Sequence, residues 1–137
     1  MIYVDTNIVL DILEGDADWF DWSVRALEDA RNAGRVVTGP VVAAEFGHYL
    51  ASPDALSHRL EALMIELVDA DVEGAWLAGR AYREYRRRGG ERSSLLPDFL
   101  IGGHAQALGA TVLTRDPRRF RSYFPDLPLI TPETTHD

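Results

Sequence analysis

The sequence contains no lysine, and all 14 of its basic residues are arginine. This absence excludes a Schiff-base lysine, a lysine-activated serine and the lysine of a P-loop. Cysteine is also absent, which excludes thiolate catalysis, disulfides and metal sites built on cysteine. Any bound metal must therefore use oxygen ligands or histidine, and such a donor set favours a hard cation such as Mg²⁺ or Mn²⁺.

Long apolar runs are missing as well. No segment of the 137 residues approaches the roughly 18–20 apolar residues of a membrane span, and no basic segment precedes Ile2-Tyr3-Val4. We therefore expect a cytoplasmic protein that does not associate with membranes. The length fits one domain, which we place at residues 1–132, with 133–137 as a short C-terminal tail.

Positive charge is scarce overall but concentrated in one window. The net charge is −8, from 22 acidic and 14 basic residues. Residues 80–121 contain ten arginines and four acids, a net +6, whereas the rest of the chain carries −14. Such a window can present a basic surface to phosphate groups. The ordinary alternative is that Arg83, Arg86 and Arg87 form a solvated helix face.

Apolar segments alternate between short runs and helix-like periodicity. We predict strands at 1–4, 36–38, 65–68, 111–113 and 129–130, with a loop at 89–94. We predict helices at 7–13, 19–33, 69 or 71 to 88 and 97–108, and further helices from Pro40, from 52–54 and from Pro117. We expect Asp16 or Asp18 to cap the helix at 19–33 and Met64 to lie on the apolar stripe of the helix from 52–54. In the helix ending at 88, we expect the inward residues to be Ala75, Trp76, Gly79 and Tyr82. This alternation indicates an α/β fold with a parallel sheet, in which sites form at the carboxyl ends of the strands.

Four acids lie where such a site would form. Asp5 follows the first strand, and Asp116 lies just beyond the strand at 111–113. Asp98 is in the first turn of a predicted helix, and Glu45 lies in the helix after the second strand. Clustered carboxylates need a cation or protons, and a divalent cation is the simplest counter-ion here. Three of the acids also have an ordinary alternative: helix-dipole compensation for Asp98, a turn for Asp116, and solvent or an arginine partner for Glu45. Asp5 is the hardest of the four to explain in such a way.

The residues around these acids carry a resemblance. The segments Met1-Ile-Tyr-Val-Asp5-Thr-Asn-Ile-Val-Leu-Asp11, Pro40-Val-Val-Ala-Ala-Glu45-Phe-Gly47, Pro97-Asp98-Phe-Leu-Ile-Gly-Gly-His-Ala105 and Thr111-Val-Leu-Thr-Arg-Asp116-Pro-Arg-Arg-Phe120 resemble, in order, the four motifs of PIN domains. The match runs from residue 1 to about 130, and its last motif looks most like VapC-type toxins of bacterial toxin–antitoxin pairs.

The resemblance implies a PIN-like three-layer sandwich around a parallel five-stranded sheet, and a Mg²⁺- or Mn²⁺-dependent endoribonuclease. Asp5, Asp98 and Asp116 would ligate the metal, and Glu45 would complete the catalytic set through a second ion or a water. Asn7 and Thr114 would orient the ligands, and Thr6 would serve its turn. Separately from the resemblance, the proximity of Arg115, Arg118 and Arg119 to Asp116 leads us to expect that one or more of them holds the RNA backbone.

The resemblance also implies a cognate antitoxin, which we expect to inhibit by covering the metal crevice, and a homodimer. Two alternatives stay open: a PIN-fold RNA- or partner-binding module with little or no activity, and a DNA-directed nuclease. Glu45-x-x-His48 matches half of a di-iron motif, but the sequence has one copy and too many strands for that bundle. A receiver domain lacks its lysine here, and an α/β-hydrolase lacks Gly-x-Ser-x-Gly.

Overall fold

A parallel sheet forms the centre of the structure, a computed structural model that describes residues 1–91 and 96–133. Within this part of the chain the strands are β1 (Ile2–Val4), β2 (Val36–Thr38), β3 (Glu66–Leu67), β4 (Thr111–Leu113) and β5 (Leu129–Ile130). Their order is β3-β2-β1-β4-β5, and every neighbouring pair is parallel. The predicted α/β fold with a five-stranded parallel sheet is confirmed.

Helices connect the strands. They are α1 (Thr6–Glu14), α2 (Phe20–Ala33), α3 (Pro40–Gly47), α4 (Pro53–Leu63), α5 (Val72–Arg87), α6 (Leu96–Leu108) and α7 (Arg118–Tyr123). Side-chain caps begin α4 and α5: Ser52 accepts from the Ala55 N–H at 3.1 Å, and Asp71 accepts from the Gly74 N–H at 3.2 Å. No helix among the described residues is long and apolar enough to cross a membrane.

The core lies on both sides of the short central strands. Val4, Val37 and Val112 are fully buried, as continuous apolar strands between two helical layers require. Burial of such a side chain contributes about 1.5–3 kcal/mol to stability. Because β2 and β4 flank β1 on opposite sides, the strand order changes direction beside β1, where open α/β sheets form their crevice.

The buried face of α5 differs from the one we predicted. The pattern favoured Ala75, Trp76, Gly79 and Tyr82 as inward residues. Tyr82 does pack on Phe99, but the structure otherwise buries Gly74, Ala78 and Ala81 and leaves Trp76 60% exposed. The cause is close packing of α5 on α6. A Cβ on Gly103 of α6 would lie 2.5 Å from the Ala78 nitrogen, so this contact accepts only small residues.

Two other predictions of detail are also corrected. Met64 was expected on the apolar stripe of α4, but it ends that helix in the left-handed conformation and is 66% exposed. Asp16 or Asp18 was expected to cap α2, but Trp19 occupies the cap and Asp16 accepts from the N–H groups of Asp18 and Trp19. The predicted loop beyond Glu91, including Arg92, and all but Glu133 of the predicted tail lie outside the described residues.

Candidate functional site

Asp5 stands at the point where β1 becomes α1. The extended backbone of β1 stops at Val4, and Asp5 caps the following helix by accepting from the Thr6 N–H through Oδ1 at 2.8 Å. The Asp5 N–H donates to the Leu113 carbonyl at the end of β4, which joins the two strand ends. The residue is only 8% exposed. Its position is therefore set by the sheet and not by a mobile loop.

The Thr114 hydroxyl connects the two strand ends through side chains. It donates to Asp5 Oδ2 at 2.8 Å and accepts from Asn7 Nδ2 at 3.2 Å and from the Asp116 N–H at 3.1 Å. Asn7 Nδ2 also donates to Asp5 Oδ2 at 3.4 Å, and Asn7 Oδ1 accepts from the Arg115 N–H. Thr114 is fully buried, so these hydrogen bonds are shielded from water. The structure thus places Asn7 and Thr114 against Asp5.

Glu45 reaches the same place from another direction. Pro40 starts α3, and this helix carries Glu45 towards the beginning of α1. The Thr6 hydroxyl donates to Glu45 Oε1 at 2.7 Å. The sequence assigned Thr6 only a role in its turn, so this contact was missed. The structure therefore shows Thr6 holding both Asp5, through its backbone, and Glu45, through its side chain.

Asp98 and Asp116 complete the set and are more exposed. Asp98 lies in the first turn of α6 and accepts from Arg119 Nη1 at 3.4 Å, with both side chains 40% exposed. Asp116 follows β4 and accepts from Arg118 Nε at 3.3 Å. In the structure, therefore, Arg118 and Arg119 contact acids of the site.

These side chains line one crevice of about 240 Å³ beside the carboxyl end of β1. The lining includes carboxylates from four separate segments, together with Arg119 and the apolar side chains of Leu10 and Phe120. The four acids are Asp5, Glu45, Asp98 and Asp116, and Thr6 and Asn7 also line the wall. The fold thus brings to one place acids that are up to 111 residues apart in sequence.

The crevice disfavours the ionised forms of Asp5 and Asp98. Burial raises the pKa of Asp5 to about 6; the hydrogen bonds from Thr114 and Thr6 oppose this rise, and the charges of Asp98 and Glu45 add to it. The pKa of Asp98 is also raised, mainly by burial, although Arg119 lowers it. Carboxylates that resist ionisation, mainly because of burial and in part because of one another, are stabilised by added positive charge.

The donor set fits a hard divalent cation by its chemistry, because such cations prefer carboxylate oxygens and four carboxylates line the crevice with a single arginine. The side-chain positions themselves form no ready coordination set. Among residues 1–91 and 96–133, no group of three or more histidine, aspartate or glutamate side chains is arranged to hold a metal ion. Arginine contacts to Asp98 and Asp116 provide the local compensation in the structure.

Arg115 points away from this crevice. Its Nε and Nη2 donate to the two carboxylate oxygens of Asp11 at 2.8 and 2.9 Å, and its guanidinium lies 5.6 Å from the Trp19 ring centre. Asp11 is 2% exposed and also accepts from the Ser23 hydroxyl at 2.8 Å. Asp11 was not among the predicted site residues. The feature of the sequence that could have identified Asp11 is that it is a charged residue within the apolar run of α1.

The chain is similar to a known protein family. The family model described as the PIN domain matches residues 2–123, which include all four acids. A comparison with curated proteins finds no match.

Several solved structures share the fold. The structure of VapBC2 from Rickettsia felis, bound to a DNA fragment from their promoter, has a TM-score of 0.72 and 23% identity, covering 96% of this chain and 98% of that one. VapBC-1 from nontypeable Haemophilus influenzae gives 0.68 and 17%, with coverage of 96% and 98%. FitAcB from Neisseria gonorrhoeae gives 0.66 and 21%, with coverage of 98% and 100%. At these identities the likeness establishes the fold.

Proposed function

The chain belongs to the PIN domain family, and from this premise we propose that it is a divalent-metal-dependent endoribonuclease acting as the toxin of a toxin–antitoxin pair. The observation that carries the proposal is the crevice itself. Carboxylates from four separate segments line one small cavity at the carboxyl edge of a parallel sheet. Packing alone does not account for acids converging at a strand end, because charge repulsion and desolvation both oppose it.

Under this proposal Asp5, Asp98 and Asp116 hold the cation, Mg²⁺ or Mn²⁺, and Glu45 acts at a second ion or through a water. The ion, when bound, would lower the pKa of a water and polarise a phosphoryl oxygen for hydrolysis of the RNA phosphodiester. The protein's part is to hold the carboxylates in place. Asp5 has its two oxygens fixed separately, by the Thr6 N–H and by the Thr114 hydroxyl.

The supporting contacts indicate a division of labour in the site. Thr114 and Asn7 orient Asp5, and Thr6 orients Glu45, so each is a positioning residue in this proposal. Arg119 lines the crevice, and its guanidinium has N–H donors beyond the one given to Asp98, which suit a phosphate oxygen. Arg118 is placed for a similar contact beside Asp116. Arg115, fixed on Asp11, serves the fold in this scheme.

The toxin assignment draws on the structural neighbours. Those described as VapBC, and one described as a toxin–antitoxin complex from Klebsiella pneumoniae, match this chain over nearly its whole length. We propose a VapC-type protein with one nuclease domain at residues 1–132 that acts on cytoplasmic RNA, forms a homodimer and is inhibited when its antitoxin covers the crevice. Co-purification of the pair followed by a cleavage assay tests inhibition; full activity in the complex would contradict it.

The decisive experiment is cleavage of total cellular RNA by the purified chain with Mg²⁺, with Mn²⁺ and with EDTA, with mapping of the new RNA ends. Asp98→Asn is the matched inactive variant, since it keeps the shape of the side chain and removes its charge. We expect discrete ends with either metal and none with EDTA or with the variant. A DNA-directed nuclease would instead cleave a DNA substrate under the same conditions.

A second candidate has one observation in its favour. The arginine contacts to Asp98 and Asp116 compensate charge without a metal, as in a PIN-fold module that binds RNA or a partner and does not cleave. Metal-dependent cleavage that Asp98→Asn abolishes would exclude this module. Binding of RNA with no cleavage under any metal condition would replace the nuclease proposal with it.

A further inference from the structure

A second and larger cavity lies outside the carboxylate crevice. It has a volume of about 600 Å³ and runs between α5 and the segment 122–126, and we call it the arginine groove. Its charged lining consists of Arg80, Arg83, Arg87 and Arg88 with Glu84 and Asp126. Four positive charges against two negative ones make this groove basic on a protein whose net charge is −8.

The arginines of the groove are available to a ligand. All four are exposed. Within the described residues, Arg83 makes no hydrogen bond or ion pair, and Arg80 only stacks over the Trp76 ring at 4.9 Å. Arg87 and Arg88 share one partner, Glu84, at 3.6 and 3.1 Å. Exposed pairs of this kind are weak, so a phosphate can take the place of Glu84.

Aromatic side chains connect the groove to the crevice. Arg88 lies 4.9 Å from the centre of the Tyr123 ring, and Tyr123 packs on Phe99 at 5.4 Å, next in the chain to Asp98. Helix α7 contributes Arg119 and Phe120 to the crevice and Ser122 and Tyr123 to the groove. The rise from Arg119 to Tyr123 is only about 6 Å. Helix α7 therefore forms a wall that the two cavities share.

We propose that the arginine groove binds the sugar–phosphate backbone of a single-stranded RNA beside the carboxylate crevice. Arg80, Arg83 and Arg87 are spaced along one face of α5 and match a chain of phosphates. The half-buried ring of Tyr123, on the helix that the groove shares with the crevice, suits a base. The inference rests on the proposed function, because it takes the strand in the groove to be the substrate.

The test measures RNA affinity without cleavage. A labelled, mixed-sequence single-stranded RNA is titrated with the full chain in EDTA at several salt concentrations, and binding is followed by fluorescence anisotropy. The groove variant is Arg83→Ala with Arg87→Ala. The control variant is Arg25→Ala with Arg59→Ala, which removes the same charge from α2 and α4, outside the groove. Alanine suits exposed helix positions, so both variants should keep the fold.

We expect the groove variant to bind RNA more weakly and its plot of log K against log salt to become shallower by about 1.4, which corresponds to two lost phosphate contacts. The control should retain the slope of the unmodified protein. Equal weakening of both variants would reduce the effect to net charge and overturn the proposal. Unchanged binding by the groove variant would also overturn it.

Two further measurements make the result independent of the variants. RNA containing 4-thiouridine is photo-crosslinked to the unmodified chain, and adducts on α5 or residues 122–126 support the groove, whereas adducts confined to other segments overturn it. Poly-glutamate is then added as a competitor. Displacement of RNA at equal charge concentration would assign the groove to an acidic protein partner. Cleavage is measured separately. If the chain binds RNA through the groove but never cleaves it, the proposed nuclease function is refuted and the proposal for the groove stands.

Discussion

The carboxylate crevice and the arginine groove lie side by side but are built in opposite ways. The crevice is small, and four carboxylates with one arginine line it; its deepest acid is fixed by the sheet and a network of hydrogen bonds. The groove is more than twice as large, and its four arginines are exposed side chains of α5 and of Arg88, the residue that follows its last turn. The first region orders its groups before anything binds, and the second leaves them adaptable.

Under the proposed function, this contrast lets a protein of net charge −8 act on a polyanion. Four of the acids are concentrated in a pocket where cations would compensate them, and the arginines that attract phosphate line a separate groove that shares α7 with this pocket. Affinity and chemistry should then respond to different substitutions.

Asp5→Asn should abolish chemistry and spare binding. We expect RNA cleavage to fall by more than the roughly 100-fold that loss of a supporting contact can cost, because the substitution removes a proposed metal ligand. RNA affinity in EDTA should stay within about twofold of the unmodified protein, since the groove is intact. Asp54→Asn, on exposed α4, is the control for both assays. If RNA affinity and cleavage fell together, the carboxylate crevice and the arginine groove would act as one site, and the proposed separation would be wrong.

Arg115→Ala should chiefly affect stability. The substitution leaves the buried Asp11 carboxylate without its bidentate partner, which should cost about 3 kcal/mol. Urea denaturation measures it, and a double-mutant cycle with Asp11→Ala should show strong coupling. Arg83→Ala, in the groove, should change stability by no more than about 0.5 kcal/mol. If Arg115→Ala left stability unchanged and reduced RNA affinity, Arg115 would belong with the groove arginines.

Gly103→Ala should disturb both regions together. Its new Cβ would meet the backbone of α5 at Ala78 and Gly74, and overpacking of this kind costs about 1–3 kcal/mol. Because α5 carries the groove arginines and α6 carries Asp98, a shift between them should weaken RNA binding and cleavage alike. Gly79→Ala, where nothing lies within 4 Å, should instead stabilise the protein by about 0.5–1 kcal/mol. Thermal denaturation compares the two, and equal melting temperatures would refute the close-packing argument.

The smallest effect concerns pH and His104. Burial lowers the pKa of this histidine below its ordinary 6.5, against the opposing carbonyl contact of Asp69 and the charges of Asp71 and Asp69. Its Nδ1 lies 2.9 Å from the Tyr3 hydroxyl and its Nε2 lies 3.1 Å from the Asp69 carbonyl oxygen, an arrangement that the neutral ring satisfies. The unfolded chain therefore takes up the proton first as pH falls, and stability present above about pH 6.5 is lost below it.

The measurement for His104 is the slope of unfolding free energy between about pH 7 and pH 5. His104→Gln should flatten that slope, whereas His58→Gln, on the exposed side of α4, should leave it as it was. Equal slopes in the unmodified protein and His104→Gln would show that other groups carry the acid sensitivity.

Much of the fold was predictable from local patterns. The strands at Val36–Thr38 and Thr111–Leu113 were predicted to the residue, because short apolar runs between glycines and turns admit few other interpretations. Ser52 and Asp71 signalled helix starts through their own side chains. The proximity of Asp5 to Asp116 followed from a rule about parallel sheets, without any knowledge of side-chain positions.

Contacts between distant segments were not predictable in the same way. Arg115 was grouped with Arg118 and Arg119 as an RNA contact, yet its structural partner is Asp11, 104 residues earlier. The face of α5 was predicted from large apolar residues, whereas the real contact with α6 depends on glycine and alanine. Thr6 and Glu45 meet only because α1 and α3 pack together. In each case the decisive partner belongs to another element, and periodicity within one element carries no information about it.

Helix α7 has a consequence of its own. Six residues long, it forms a wall of both cavities, with Arg119 facing one and Tyr123 the other. An RNA strand bound in the arginine groove would reach the crevice at a fixed distance along the strand, whatever its base sequence. The protein would then cleave at a constant distance from the segment bound in the groove. The structure of the RNA between the groove and the crevice would decide which molecules are cut.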